Sequence, residues 1–148
     1  MEEAEISYTN TLPEKADFFA LFETTGWNKE YELSADELYR ALDVSWHMIA
    51  AYDRDRLVGF GRVISDGVLH AFIVELIVLP EYQGQGIGGH ILSQLTDRCK
   101  TYGIADIQLF CAKGKAGFYE KHGFVRRSAD APGMQLSRAI IPEPEKDR

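Results

Sequence analysis

Glycine is concentrated at one point of the sequence, where an apolar stretch meets a predicted helix. Four glycines fall within six positions there: Gly84, Gly86, Gly88 and Gly89. Each weakens a helix interior by up to about 1 kcal/mol relative to alanine, so the cluster indicates positive φ angles or a ligand close to the backbone. A helix N-terminus also presents unpaired N–H groups and partial positive charge. The segment therefore predicts a diphosphate cradle without lysine; the alternative is a turn that allows tight helix–sheet packing.

Two other phosphate-binding motifs fit this segment less well. A Walker loop requires Gly-Lys-Ser/Thr, which does not follow the glycines. The run Gly84-x-Gly86-x-x-Gly89 does match the dinucleotide-binding string. In a dinucleotide-binding fold, however, the glycines directly follow a strand of the first βαβ unit, and an acidic residue ends the next strand. Here the glycines come late in the chain, other residues separate them from the strand, and the next predicted strand ends at Cys111.

A single carboxylate interrupts the most apolar stretch of the chain. Glu75 is the only acidic residue within residues 68–79. A carboxylate in such a strand is costly unless it is paired or functional. Glu75 is therefore a candidate general base, and the alternative is a structural salt bridge. His70, in the same stretch, is a further candidate base, with a structural role as its alternative.

Two motifs together resemble those of a known enzyme family. After Val-x-Pro-x-Tyr, the run Gln83-x-x-Gly86-x-Gly88 resembles the acyl-CoA motif of GNAT-type (GCN5-related) N-acetyltransferases, which include small bacterial single-domain members. Further along, residues 118–124 (FYEKHGF) resemble the second signature of that family. The resemblance spans nearly the whole chain. It implies the acyl-CoA N-acyltransferase fold, acetyl-CoA as the cosubstrate and an amine as the acceptor.

The resemblance also assigns candidate roles in CoA binding. It implies that the pantetheine arm pairs, like an added strand, with backbone groups of Leu76, Ile77 and Val78. It implies that Phe118 and Tyr119 flank the cofactor. The pyrophosphate would be bound by backbone amides of the glycine-rich segment, which comprises Gln83, Gly84, Gln85, Gly86, Ile87, Gly88 and Gly89.

Acyl transfer to an amine needs a proton acceptor and a proton donor. An ammonium must lose a proton before nitrogen attacks the thioester, and a general base takes it directly or through water. The leaving thiolate needs a donor, and a tyrosine hydroxyl with a pKa of about 10 is suitable; the resemblance gives this role to Tyr119. Family members carry their base at the position of Glu75 or at that of Phe72, and a family β-bulge would set the direction of Glu75. Tyr119 and Glu75 are the predicted catalytic residues.

The acceptor site is expected between the first two helices. Trp27 and Tyr31 lie there in the sequence and are predicted to line an aromatic wall, although Trp27 would alternatively cap the core. Glu23, Glu30 and Glu32 in the same segment would attract a cationic amine, unless they are only solvated. Resemblance of this region to small bacterial members and to the plant arylalkylamine-type branch favours a small amine, aromatic amines included.

The remaining pattern predicts the elements that position these residues. Strands are predicted over residues 4–9, 46–52, 57–64, 68–79, 104–111, 124–127 and 133–138, with a hairpin turn at Asp66-Gly67 and a loop over residues 24–28. Helices are predicted over 13–23, from Ser34, over 86–102 and over 115–121, with capping boxes at Thr11/Glu14 and Ser34/Glu37. The fold class is α/β (α+β), with a mixed, mostly antiparallel central sheet of about six or seven strands and helices on both faces.

Composition excludes several classes of protein. The chain has 148 residues, 45% of them hydrophobic, which suits a single domain; we assign it residues 1–141, with 142–148 as a disordered tail. A net charge of −7 argues against nucleic acid or an anionic membrane as a partner. No apolar run reaches the about 20 residues of a membrane span. Two cysteines and no secretory signal predict a cytoplasmic protein, and the histidines lack metal-ligand spacing, so no metal is predicted.

These observations predict an N-acetyltransferase that moves the acetyl group of acetyl-CoA to a primary amine in a ternary complex. One rival within the same fold is acetylation of a protein N-terminus or lysine. A rival of another class is a non-catalytic acyl-CoA-binding regulatory module, and a third is a dinucleotide-binding domain. A homodimer is compatible with the sequence by analogy to the family alone.

Overall fold

A computed structural model of the chain describes residues 3–137. The chain divides into two compact units, Met1–Phe110 and Cys111–Arg148. The first unit contains a five-stranded sheet whose strands lie side by side in their order along the sequence. These strands are β1 Ile6–Thr9, β2 His47–Asp53, β3 Arg56–Ser65, β4 His70–Val78 and β5 Asp106–Leu109. Strands β1 to β4 are antiparallel and β5 is parallel to β4.

The helices of the first unit precede β2 or connect β4 to β5. They are α1 Lys15–Glu23, α2 Asn28–Tyr31, α3 Ala35–Ala41 and α4 Ile87–Thr101, with 3₁₀ turns at Leu42–Val44 and Pro80–Tyr82. The predicted capping box at the start of α3 is confirmed, because the Glu37 N–H donates to Ser34 Oγ at 3.1 Å and the Ser34 N–H donates to Glu37 Oε1 at 3.0 Å. Helix α4 is the crossover that a parallel β4–β5 pair requires.

Helices cover both faces of the sheet, as predicted. On one face α4 lies close to β3 because β3 has glycine at two positions; a Cβ at Gly61 would lie 2.9 Å from Ile91 Cγ2, and one at Gly59 would lie 3.0 Å from Ile91 Cδ1. On the other face Phe18 of α1 packs edge-on against Phe60 of β3, with ring centroids 5.0 Å apart. Since residues alternate along a strand, Phe60 and its flanking glycines face opposite helices.

The start of β4 differs from the prediction. The β3–β4 hairpin forms at Asp66 and Gly67 as expected, but β4 begins at His70 and not at residue 68. Asp66 Oδ1 accepts the N–H groups of Val68 and Leu69 at 2.9 and 2.7 Å. This local side-chain cap competes with strand pairing, and the hairpin connection is longer as a result.

The beginning of α1 also corrects a prediction. Glu14 occupies the N-cap position of α1, and no side-chain hydrogen bond caps the helix there. The predicted Thr11/Glu14 capping box therefore does not form. The Thr11 N–H donates instead to Thr9 Oγ1 at 3.2 Å. The segment after α1 was predicted as a loop and contains the short helix α2.

The second unit contains α5, Ala116–Lys121. Two strands were predicted after it, and neither forms in the part of the chain that the structure describes: residues 124–127 and 133–137 are irregular, and Arg138 lies outside the described residues. Val125 is 87% exposed, whereas a β-branched residue favours a strand where it packs on a half-buried sheet surface. The described sheet therefore has five strands where six or seven were predicted, while the fold class is as predicted. The predicted tail, 142–148, also lies outside the described residues.

Over residues 3–137, none of the helices combines the length and the apolar character needed to cross a lipid bilayer.

Candidate functional site

The glycine-rich segment forms a loop that leads from β4 into α4. After the 3₁₀ turn Pro80–Tyr82, Gly84 has a φ of +80° and Gly86 a φ of +85°. Gly86 is the residue that precedes the first turn of α4. Glycine takes such angles without strain. The backbone conformation at Gly84 and Gly86 therefore explains why two of the four residues in the cluster are glycine.

Backbone N–H groups of this loop lack acceptors. The first hydrogen bond of α4 runs from the His90 N–H to the Gly86 carbonyl, at 3.0 Å. Among the described residues, none of the N–H groups of residues 84–89 donates a hydrogen bond within the protein. Residues 83–86 are exposed. The N-terminus of a 15-residue helix thus offers a row of donors, together with its dipole, to an anion in solvent.

Side chains hold the start of the loop against the β2–β3 hairpin. Tyr82 Oη donates to Asp53 Oδ2 at 2.5 Å, and Arg56 Nη2 lies 3.2 Å from Glu81 Oε2. The hydrogen bond from Tyr82 lowers the pKa of Asp53, and the same bond raises the pKa of Tyr82. These contacts fix the loop before its glycines begin.

The amide row was predicted to begin at Gln83 or at Gly84. The Gln83 N–H donates to the Pro80 carbonyl at 3.3 Å, and Gln83 Nε2 donates to the Val78 carbonyl at 3.0 Å. The row of unpaired amides therefore begins at Gly84, and the Gln83 side chain closes the turn between strand and loop.

Strand β4 has a free edge beside this loop. Its parallel pairing with β5 covers only four residues, His70–Ile73 with Asp106–Leu109. Beyond Ile73, in the described part of the sheet, β4 pairs only with β3 on its other side. Leu76, Ile77 and Val78 lie on this unpaired stretch, so their outward backbone groups can accept an added strand.

A β-bulge interrupts β4 at Glu75. Arg62 of β3 pairs with Val74, whereas Phe60 pairs with Ile77, so β4 has one more residue than β3 over this interval. Glu75 itself has a φ of +50°. A bulge redirects a side chain that regular alternation would send to the other face, and here it brings Glu75 to the face of Arg62.

The Glu75 carboxylate makes a close ion pair. Its Oε2 lies 2.6 Å from Arg62 Nε, and the Glu75 side chain is 25% exposed. Arg62 Nη1 also donates to the Ala41 carbonyl at 3.1 Å and to Ser45 Oγ at 3.3 Å. Arg62 is thus a partner for Glu75 in the structural salt bridge that was the alternative to a role as general base. The role of Glu75 as a base stays a prediction.

Tyr119 and Phe118 belong to the second unit, on α5. Their rings meet edge to face with centroids 5.0 Å apart, and Phe124 packs against Tyr119 at 6.1 Å. Burial raises the pKa of the Tyr119 hydroxyl, and the proximity of Cys111 adds to this effect. The hydroxyl is consequently protonated at neutral pH, which a proton donor requires.

The predicted acceptor residues lie around α2. Trp27 is 37% exposed and packs edge-on against the buried Phe22, at 5.9 Å. Tyr31 is the last residue of α2 and is also partly exposed. Trp27 therefore combines a contact to the core with an open surface. Glu23 accepts a hydrogen bond from Asn28 Nδ2 at 3.0 Å, so this carboxylate helps to fold the segment.

The first unit thus brings together the amide row, the free edge of β4 and Glu75. Sequence reasoning missed Arg62, which at 6% exposure is the only charged residue in the buried set within residues 3–137. A signal was present, since Arg62 is the only charged residue inside the predicted strand 57–64. Tyr82 and Asp53 were missed as well, because their contact joins positions far apart in sequence.

Comparisons with known proteins agree with this geometry. The family model "Acetyltransferase (GNAT) domain" matches residues 45–126. The crystal structure of SA2161 from Staphylococcus aureus is 28% identical, with a TM-score of 0.78 over 90% of this chain and 99% of that one. SP0256 of Streptococcus pneumoniae, a GNAT family acetyltransferase, is 29% identical, with a TM-score of 0.73 and the same coverage. The chain belongs to the GNAT acetyltransferase family.

Curated relatives provide a second comparison, which is based on sequence. An N-acetyltransferase of the ycf52-like type from Prochlorococcus marinus is 31% identical over 108 residues, which is 70% of this chain and 58% of the relative. Serotonin N-acetyltransferase 2 of rice is 29% identical over 123 residues, 80% of this chain and 60% of the relative. The chain spans about half the length of the curated relatives it matches.

Proposed function

We propose that this protein transfers the acetyl group of acetyl-CoA to a primary amine. The observation that carries the proposal is the row of unpaired N–H groups over residues 84–89, next to the free edge of β4. A diphosphate fits the first feature and the amide groups of a pantetheine arm fit the second. Membership of the GNAT family supports the same cosubstrate.

The reaction we propose is direct acyl transfer in a ternary complex. The neutral amine nitrogen attacks the thioester carbonyl carbon, forming a C–N bond, and collapse of the tetrahedral intermediate breaks the C–S bond. The proton lost by the amine passes to a base or to water, and the thiolate receives a proton from Tyr119. The Tyr119 hydroxyl carries its proton at neutral pH, as the proposed donor must, because an ordinary tyrosine pKa is about 10 and burial raises the pKa of Tyr119 further. The base is Glu75 or a water relay, and the Arg62 contact favours the relay.

The two units are assigned to one catalytic domain in this proposal. The family model spans residues 45–126 and so includes parts of both. Phe118 and Tyr119 stay proposed CoA-binding residues, as the resemblance of residues 118–124 implies. The cytoplasmic location stays a prediction, because the rice relative and a related Arabidopsis protein are both named chloroplastic. The homodimer, the tail and the expectation that no metal is needed stay predictions as well.

A small amine is the acceptor class we favour. The rice relative is a serotonin N-acetyltransferase, and the exposed part of Trp27 with nearby Tyr31 suits an aromatic amine. A protein acceptor is the second candidate, because a soybean relative named histone acetyltransferase TAP1 is 30% identical over 127 residues, 80% of this chain and 54% of the relative. A thiol-release assay with tryptamine, other small amines and lysine peptides distinguishes these acceptors. Tight CoA binding without turnover on any of them would indicate the non-catalytic module.

Substitution of Gly86 tests the amide row. At a φ of +85° a β-branched residue is strained and displaces the N–H groups, so Gly86→Val is expected to abolish CoA binding measured by calorimetry. Wild-type protein should gain about 2.7 kcal/mol of stability at a CoA concentration of 100 Kd, and no stabilisation is expected with NAD.

Gly103→Val is the matched control. Gly103 has a φ of +69° and open space around it, and it follows the opposite end of α4. This variant carries comparable backbone strain, and its CoA affinity should match that of the wild type. Wild-type affinity in Gly86→Val would place the phosphate site elsewhere.

A further inference from the structure

The ion pair of Arg62 and Glu75 connects β4 to the segment that follows α3. Arg62 lies in the middle of β3 and is almost completely buried. Its guanidinium contacts Glu75 Oε2 at 2.6 Å, the Ala41 carbonyl at 3.1 Å and Ser45 Oγ at 3.3 Å. A buried cation is tolerated only when its donors are paired, so these contacts hold the three chain segments in one arrangement.

The same contact maintains an unfavourable backbone conformation. A φ of +50° at Glu75 costs about 1–3 kcal/mol for a residue other than glycine and persists only where surrounding structure imposes it. Glu75 directly precedes Leu76, the first residue of the proposed pantetheine edge. Loss of the bulge would shift the strand by one residue and reverse which backbone groups face that edge.

We propose that Arg62 is a positioning residue for CoA: by clamping Glu75 it holds the β4 bulge, and the bulge sets the direction of the N–H and C=O groups of Leu76–Val78. This inference rests on the proposed function, and it assigns Glu75 a structural task. The contact supports that assignment because one carboxylate oxygen is already engaged by the guanidinium. It also gives a reason for an arginine in an otherwise apolar part of β3.

Two substitutions of one residue provide the test. Glu75→Ala and Glu75→Gly both remove the carboxylate, but only glycine accepts a positive φ without strain. In the ligand-free protein, hydrogen exchange of the amides of residues 74–78 should rise in Glu75→Ala and rise much less in Glu75→Gly. The calorimetric Kd for CoA should follow the same order, with Glu75→Ala about 3- to 30-fold weaker than wild type.

Arg62→Lys keeps the charge but cannot make all three contacts, since lysine lacks the planar fork of donors. It is expected to behave like Glu75→Ala and replaces that variant if the alanine protein does not fold. Asp36→Asn is the matched control, because it removes an exposed ion pair of the same length, Lys15–Asp36 at 2.6 Å. Its exchange over residues 74–78 and its CoA affinity should equal those of the wild type.

The proposal is overturned by equal exchange and equal CoA affinity in Glu75→Ala and Glu75→Gly, or by wild-type values in Arg62→Lys. If Glu75→Gly binds CoA normally but loses turnover together with the acidic limb of its pH–rate profile, the positioning role of Arg62 stands, and the assignment of a structural task alone to Glu75 is overturned, since that result identifies Glu75 as the base. Failure of the wild-type protein to bind CoA rejects the proposed function instead. The exchange experiment needs no ligand and decides the positioning role separately.

Discussion

Some residues of the candidate site could be identified from the sequence alone, and others could not. Gly84 and Gly86 could be singled out because several glycines at a helix start are unusual, and both take positive φ angles. Glu75 could be singled out as a charge in an apolar strand, but its orientation could not. That orientation depends on the bulge and on Arg62, which is 13 positions away in sequence.

Replacement of Tyr119 tests the proposed proton donor. Tyr119→Phe should lower kcat by about 10- to 1000-fold, because the leaving thiolate loses its acid. The protonated hydroxyl is the active form, so wild-type kcat should fall as the pH rises through the pKa of Tyr119. Since burial raises that pKa, the fall should occur above the value of about 10 for a free phenol, and it should be missing in the variant.

Tyr102→Phe serves as the control for this substitution. Tyr102 is exposed at the far end of α4 and interacts with Arg98, so its kcat should be that of the wild type. An unchanged kcat in Tyr119→Phe, with chemistry shown to limit the rate, would remove Tyr119 from the mechanism.

At the scale of elements, the hydrogen bond from Tyr82 to Asp53 is one of the contacts that attach the glycine loop to the β2–β3 hairpin. Tyr82→Phe removes the hydrogen bond that is the main cause of the lowered pKa of Asp53, yet it keeps the ring under Arg56. A carboxylate with a lowered pKa stabilises the fold above the pKa of the unfolded state and ceases to do so as the pH falls through the folded value. The variant should therefore be less stable than wild type at pH 7 and close to it at acidic pH.

Urea unfolding at the two pH values measures this difference. Asp66→Asn is a useful comparison, because the pKa of Asp66 is lowered by backbone N–H groups and not by Tyr82. A stability gap between Tyr82→Phe and wild type that stays constant with pH would contradict the assigned role of Asp53.

The close approach of α4 to the sheet gives a second prediction about elements. A Cβ at Gly61 would lie 2.9 Å from Ile91 Cγ2 and 3.0 Å from Leu95 Cδ1. Gly61→Ala should therefore destabilise the protein by about 1–3 kcal/mol through overpacking, measured by urea unfolding. Gly117→Ala has nothing within 4 Å of its Cβ and should not be destabilised. Equal stability of the two variants would show that α4 can move away from β3 at little cost.

At the scale of the whole molecule, charge should govern the approach of the acceptor. The net charge of −7 attracts a cationic amine from a distance. Salt screens this attraction, because the Debye length falls from about 30 Å at 0.01 M to about 3 Å at 1 M salt. The kcat/KM for tryptamine should decrease as salt is raised across this range. An acceptor of no net charge is the control, and an equal response for both would exclude electrostatic attraction.

The sequence alone determined the features that depend on neighbouring residues. The Ser34 capping box, the hairpin at Asp66 and Gly67, the amphipathic α4 and the glycine loop all appear where they were predicted. Each is set by hydrogen bonds or backbone preferences within a few positions, and such preferences can be identified from the residues themselves.

Only the tertiary structure decided the features that depend on pairing between distant segments. The separation of β5 from β4 after Ile73, the bulge at Glu75, its contact with Arg62 and the irregular course of residues 124–127 are of this kind. A strand forms only where a partner and a buried face exist, and a one-residue change of register sends a side chain to the other face. Those conditions belong to the assembled sheet, and no short stretch of sequence contains them.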